Sequence, residues 1–443
     1  MKKSLIRGRR GAAAFALVGA GAIVLTACSG SSSPSSSGSD EGSGGSGEFT
    51  YLGQIQNTTI ATTLTTLSTG ACSAENEAAT LSEDSIDSST WDQQLQLLAG
   101  QDALASISMA PGTPALMQDF ISSGKVVDLS TELDTLGVSD KVLPAAASTI
   151  EALYGADALY ALPTEFNIEG FWYNKQLLED NGIDVPATWD DLVTAAGTLD
   201  AAGVQPFVAS GGEGWPVTRL VGDYIFRDLG ADALQKVADG EASLTDPEYV
   251  AAADAIAELG SAGYFGASPG TVDYDTAMNQ FLTGGGAFFY MGSWAVSNFN
   301  DREQNQIGAD NIGFMPFPEV TGGAGSIDEV PANAGVPVML SSATYGDDTA
   351  AWLKCIVENY GDVALADSGQ VTGFAVTEVP ADQPELTTLV QDTIANAPSS
   401  VLWFEAKFSA QGTSVSQTNG GALASGQLSG EEFMSLVQAA NEG

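Results

Sequence analysis

Residues 281–298 read FLTGGGAFFYMGSWAVSN. DYDTAMNQFL (273–282) is helical in pattern, and the glycines at 284–286 end it, because glycine enters left-handed conformations without a steric penalty. AFFYM (287–291) is an apolar run of strand length bounded by glycines, the pattern of a buried strand. Ser293 is placed to cap a helix beginning WAVSNF. Trp294 therefore falls in a turn between the carboxyl end of a strand and the amino end of a helix. In open α/β sheets that edge is where ligands bind.

Strands and helices alternate outward from this stretch. FTYLGQ (49–54) and LASISM (104–109) read as strands, and SSTWDQQLQLLAG (88–100) places Trp91, Leu95 and Leu98 on one helical face. Thr188 with Asp191, Thr245 with Glu248, and Ser429 with Glu432 have the spacing of capping boxes. This alternation predicts an α/β architecture with largely parallel sheets.

Composition narrows the chemistry. The 443 residues carry 14 Lys and Arg against 56 Asp and Glu, and five of the cations (Lys2, Lys3, Arg7, Arg9, Arg10) lie in the first ten residues. Such a field repels nucleic acid and other polyanions. Histidine is absent, which excludes Ser-His-Asp and Cys-His catalysis and removes the commonest transition-metal ligand. Paired-carboxylate chemistry survives, with two carboxylates such as Glu165 and Glu169.

MKKSLIRGRR is basic and GAAAFALVGAGAIVL (11–25) is apolar, but the run is shorter than the roughly 20 residues of a bilayer span. Residues 1–27 therefore read as an export signal. The ending LTAC (25–28) resembles the lipobox of bacterial lipoproteins, which implies lipidation of Cys28 and an anchor on the outer face of the cell membrane. Residues 28–48 are a Ser/Gly-rich tether with a reach of roughly 25 Å. Cys72 and Cys355 remain, in a compartment where disulfides form, and they are expected to pair. Two buried free thiols are the other arrangement.

YALPTEFNIEGFWYNKQLLEDNGIDVPATWDDLVTAAGTL (160–199) holds a proline-containing strand at Pro163, then Tyr173-Asn174-Lys175, a helix, and the turn Pro186 through Leu192. Together with GGEGWP (211–216) and the stretch at 281–298, this motif order resembles the extracellular solute-binding proteins (family 1) of ATP-binding-cassette importers. Within that family it resembles the sugar branch that includes the maltose-binding protein. The resemblance covers residue 49 to the C-terminus. Two departures stand out: AGQDALASISMAPG lacks the Pro-Asp-Val of many relatives, and Gln54, Gln56 and Asn57 stand where some carry charge. Both imply a less charged sugar site.

The resemblance implies a two-lobed periplasmic-binding-protein fold of type II, with hinge crossings near 163–168, 328–335 and 370–376. Lobe 1 would be 49–166 plus 334–372, and lobe 2 would be 167–333 plus 373–443, with the ligand in the cleft between them. It implies no cofactor and no metal. A monomeric, non-catalytic receptor would bind a di- or oligosaccharide and deliver it to a membrane permease driven by a cytoplasmic ATPase. The alternatives are a receptor for an amino sugar, polyol or peptide, and a lipid-anchored carbohydrate-active enzyme.

A sugar site needs aromatic platforms for C–H faces and polar groups for hydroxyls. Trp294, Trp215 and Trp403 are the expected platforms, while Trp91, Trp189, Trp352 and Trp172 belong to core stripes. Glu165 and Asn167 are the expected rim, joined by Gln54, Asn57, Asp273 and Asn333, with Phe374 at the hinge end of the cleft.

Overall fold

In NIEGFWYN (Asn167–Asn174) neighbouring aromatic side chains enter different cores. Phe171 packs edge-on against Phe288 and Tyr290, whereas Trp172 points the other way, onto Phe299 and Phe314. Successive side chains of a strand leave opposite faces of the sheet, so this strand is covered on both sides. A computed structural model describes residues 47–442 except residues 56 and 87–89. The export signal, Cys28, the tether up to residue 46 and Gln56 lie outside the described residues.

Ten strands are described: β1 (Gly47–Gln54), β2 (Ala79–Ile86), β3 (Ile107–Met109), β4 (Asn167–Asn174), β5 (Phe207–Val208), β6 (Phe288–Gly292), β7 (Ile312–Met315), β8 (Glu329–Asn333), β9 (Val338–Leu340) and β10 (Ser399–Val401). One sheet has the order β2-β1-β3-β9, and the other β10-β8-β4-β6-β5, with β7 also on β4. The expectation of largely parallel sheets is corrected. β1 runs parallel to β2 and β3, but β4 runs antiparallel to β6, β7 and β8, and β9 antiparallel to β3. Among the described residues the antiparallel strand pairs are all made by β4 and β9, two strands the chain enters by crossing from one sheet to the other.

Three such crossings lie side by side. The Leu162 amide donates to Val338 O (2.7 Å), Gly373 to Pro163 O (2.9 Å) and Phe166 to Val371 O (3.2 Å). Asn167 pairs with Asn333 where β4 and β8 meet. The expected lobe boundary at 372 falls inside a segment bonded to the first sheet's side, since Ala375 donates to Lys141 O and Thr377 to the Asp362 carboxylate, each at 2.7 Å.

Three of the core tryptophans pack with their indole N–H groups paired. Trp352 stacks on Phe49 at 4.7 Å and donates to Ala79 O, Trp91 donates to Ala110 O, and Trp172 to Met291 O. Trp189 stacks on Phe317. Burying about 200 Å² of indole contributes about 5 kcal/mol each, before the entropy of ordering. Cys72 and Cys355 form a disulfide with a Cα–Cα distance of 5.8 Å, joining positions 283 residues apart.

Of the three capping boxes expected from spacing, two form. The Asp191 amide donates to Thr188 Oγ1 and the Glu432 amide to Ser429 Oγ, completing two boxes. The helix expected after Thr245 instead runs Pro247–Ser261, with Asp246 at its cap position. Proline's fixed φ and missing N–H suit the first helical position, so Pro247 sets the start.

Candidate ligand-binding site

The turn after β6 folds Trp294 back over its own glycine. A Cβ at Gly292 would lie 1.9 Å from the Trp294 ring, so only glycine leaves the indole this position. Ser293 does not cap the following helix, contrary to the sequence expectation. Its hydroxyl donates to Asn167 Oδ1 (3.1 Å) and accepts from the Ile168 amide (3.2 Å), because the pairing of β4 with β6 brings the start of β4 beside the turn. The Asn167 amide group in turn donates to Glu165 Oε1 (3.1 Å). This chain of donors fixes Glu165 as an acceptor.

Trp215 arrives from another direction. It is the first residue of the helix Trp215–Leu229, after Gly214, whose φ of 77° and close approach to the Gln417 carbonyl both require glycine. Its ring lies 5.8 Å from that of Trp294 at 57°. The Trp294 side chain also meets that of Tyr274, and the Tyr274 amide donates to Glu213 Oε1 (3.0 Å), which ties the loop before Trp215 to the helix start beside Trp294.

One turn along the helix, Arg219 places its guanidinium over Trp215 (5.6 Å) and over Trp403 (5.2 Å). It donates to Glu169 Oε2 (2.9 Å) and Glu405 Oε2 (3.4 Å), both carboxylates being buried. Glu405 also accepts from Thr218 and Ser416. Burial pushes the Glu169 carboxyl up, against the pull of Arg219. Four residues further, buried Asp223 accepts from Tyr290 (2.5 Å), and burial pushes its carboxyl up to about 7. Next on the stripe, Arg227 donates to the carbonyls of Phe317, Ser326 and Glu329. Beyond residue 10 the chain has only three arginines, and two of them, Arg219 and Arg227, occupy this one helix face. That i, i+4 spacing of Trp215, Arg219, Asp223 and Arg227 was the available sequence signal, and composition alone does not reveal it.

Two cavities meet at this point. One, of about 400 Å³, is lined by Trp215, Trp294, Arg219, Glu165, Asn167 and Asn333. The other, of about 630 Å³, shares Trp294, Glu165 and Asn167 and continues along residues 365–371 and 380–387. Glu165, Asn167, Trp215, Trp294 and Asn333 are thus brought together. Asn333 accepts from the Gly335 amide (2.6 Å) at the end of β8.

The remaining expected residues sit elsewhere. Trp403 stands behind Arg219 and lines neither cavity, because the guanidinium occupies its exposed face. Asp273 is an exposed helix cap accepting from the Thr276 amide (2.8 Å), and the Thr276 side chain together with that amide holds its carboxyl low. It reaches the site only by starting the helix that carries Tyr274. Phe374 is buried against Tyr360, so the expectation that it lines the cleft is corrected. Gln54 and Asn57 form a turn at the end of β1, and from that segment Thr59 is the residue that reaches the larger cavity. Arg219, Glu405 and residues 365–371 were missed by sequence reasoning.

No helix among the described residues is long and apolar enough to cross a membrane. A family model described as bacterial extracellular solute-binding protein matches residues 75–354. The chain is 28% identical over 154 residues to an uncharacterised ABC transporter extracellular-binding protein of Pyrococcus horikoshii, covering 34% of each chain. It is 27% identical over 183 residues to the alpha-glucosides-binding periplasmic protein AglE of Rhizobium meliloti, covering 39% of each. The matched part therefore spans little more than a third of these curated relatives. Among solved structures, a chitin oligosaccharide binding protein superposes with a TM-score of 0.68 at 23% identity, over 90% of this chain and all of that one. That structure shares the two-lobed fold. The match at 75–354 takes in strands of both sheets, the first two crossings and the turn that carries Trp294, and on it the chain belongs to the bacterial extracellular solute-binding protein family.

Proposed function

We propose that the protein is a non-catalytic receptor for a saccharide of two or more units, handing it to a membrane permease of the ATP-binding-cassette type. The observation that carries this is the meeting of Trp215 and Trp294, from separate segments, at two joined cavities whose shared wall is Glu165 and Asn167. Indole faces suit the C–H faces of a pyranose, and carboxylate and amide oxygens suit its hydroxyls. Two cavities sharing one wall suit a ligand longer than one ring. The names of the curated relatives support the saccharide and the transporter.

The three adjacent crossings serve as the hinge in this reading, with the lobes closing on the ligand because the closed form binds it better. Paired-carboxylate hydrolysis is disfavoured by the placement of Glu169, which is buried on Arg219 and lines neither cavity. The test is a thermal-shift screen of the exported domain against neutral saccharides of one to four units, amino acids and short peptides. Ligands that bind only the folded state raise Tm by mass action. Saccharides are expected to raise it; shifts with amino acids or peptides alone would overturn the reading.

A further inference from the structure

Glu165 is the ionisable group common to both cavities, and its electrostatic setting bears on which saccharides fit. The donor chain from the Ile168 amide through Ser293 and Asn167 ends on its carboxylate, so the near side of that group is satisfied by a neutral donor. Among the described residues it makes no ion pair, the five ion pairs lying elsewhere. The other ionisable groups lining the cavities are Arg219 and Asp382. Arg219 is paired through Nε and Nη1 with two buried carboxylates, Glu169 and Glu405, and two indoles lie against its guanidinium, so its charge is already offset within the protein. Around the site the chain as a whole carries a formal charge of −42.

We infer that the cleft sorts saccharides by charge: it admits neutral and amine-bearing sugars and rejects uronic acids, with Glu165 as the discriminating residue. This rests on the saccharide-receptor reading. A sugar carboxylate brought against Glu165 sets like charges together in a partly desolvated gap, an arrangement that works against binding. An ammonium group there gains a charge-assisted hydrogen bond to Glu165, and the adjoining Trp294 face favours it further.

The experiment is calorimetric titration of the exported domain with matched series: glucose, glucosamine and glucuronic acid, the galactose counterparts, and the α-1,4 and β-1,4 disaccharides of each. Uronic acids are expected to bind at least about tenfold more weakly than neutral sugars of the same skeleton, and amine forms at least as tightly as neutral ones. Glu165→Gln is expected to bring the three within about threefold. A second readout needs no variant: raising salt from about 0.01 M to about 1 M shortens the screening length from about 30 Å to about 3 Å and narrows the charge gap in the native protein. A uronic acid binding as tightly as its neutral counterpart, or a gap indifferent to both salt and Glu165→Gln, overturns the charge selectivity while leaving the receptor reading intact. Binding by none of the series in any charge form overturns both.

Discussion

Trp294 owes its position to its neighbours. Gly292 leaves room for the ring, Tyr274 meets it, and Trp215 stands beside it. Trp294→Ala is expected to weaken saccharide binding by about 1–3 kcal/mol, the usual worth of an aromatic platform, while lowering the ligand-free Tm little. Calorimetric titration of wild type and variant reads the first, and a thermal melt the second. Asp223 yields a prediction of opposite kind. Its folded value, about 7, stands above the ordinary 3.8, so the folded protein retains a proton that the unfolded chain has released. Stability from this group is therefore full below about pH 4 and is lost as pH rises to about 7, a change on the order of 4 kcal/mol. Asp223→Asn keeps an acceptor for Tyr290 and removes the titration. Its Tm is expected to rise relative to wild type between about pH 5 and about pH 8, and parallel Tm–pH curves would contradict the assignment.

At the scale of elements, the helix Trp215–Leu229 carries both the proposed platform Trp215 and the charge cluster behind it. Its start depends on Gly214, where a Cβ would lie 1.7 Å from the Gln417 carbonyl oxygen. Gly214→Ala is expected to destabilise by at least about 2 kcal/mol and to alter Trp fluorescence, since the clash moves the turn that presents Trp215. An unchanged melt with native fluorescence would show that the helix at Gln417 yields freely. Legibility in the sequence differed between elements for physical reasons. The box at Thr188 was readable because both partners lie within one turn, whereas the start at Pro247 moved because proline outranked a threonine two residues earlier. Strand direction was not readable: the same apolar run serves a parallel or an antiparallel neighbour, and β4 met antiparallel ones.

At the scale of the molecule, the disulfide joins the helix Asp347–Ser368 to the loop after the first helix, so the chain's early and late segments unfold as one closed loop. Cys72→Ser with Cys355→Ser is expected to cost about 2–5 kcal/mol, read as a lower denaturation midpoint, without change in ligand affinity because neither residue lines the cavities. Reduction of the wild-type protein should reproduce the shift. Ligand should also shrink the radius of gyration in solution scattering if the crossings hinge; an unchanged profile at saturation would remove the closing motion from the proposal.

The sequence by itself determined what composition and short-range pattern control: a chain without histidine, too acidic for polyanions, built of alternating strands and helices, with its core tryptophans set apart from the turn tryptophan at 294. Those properties reside in residues a few positions apart, where periodicity and capping act. Only the tertiary structure decided which groups face the cleft. Arg219 meets Glu169 and Glu405 from 50 and 186 residues away, Ser293 turns from a cap to a partner of Asn167 across 126 residues, and Trp403 is claimed by the guanidinium. Such contacts follow from the register of β4 between its neighbours and the crossing of the chain between two sheets, which no local pattern encodes.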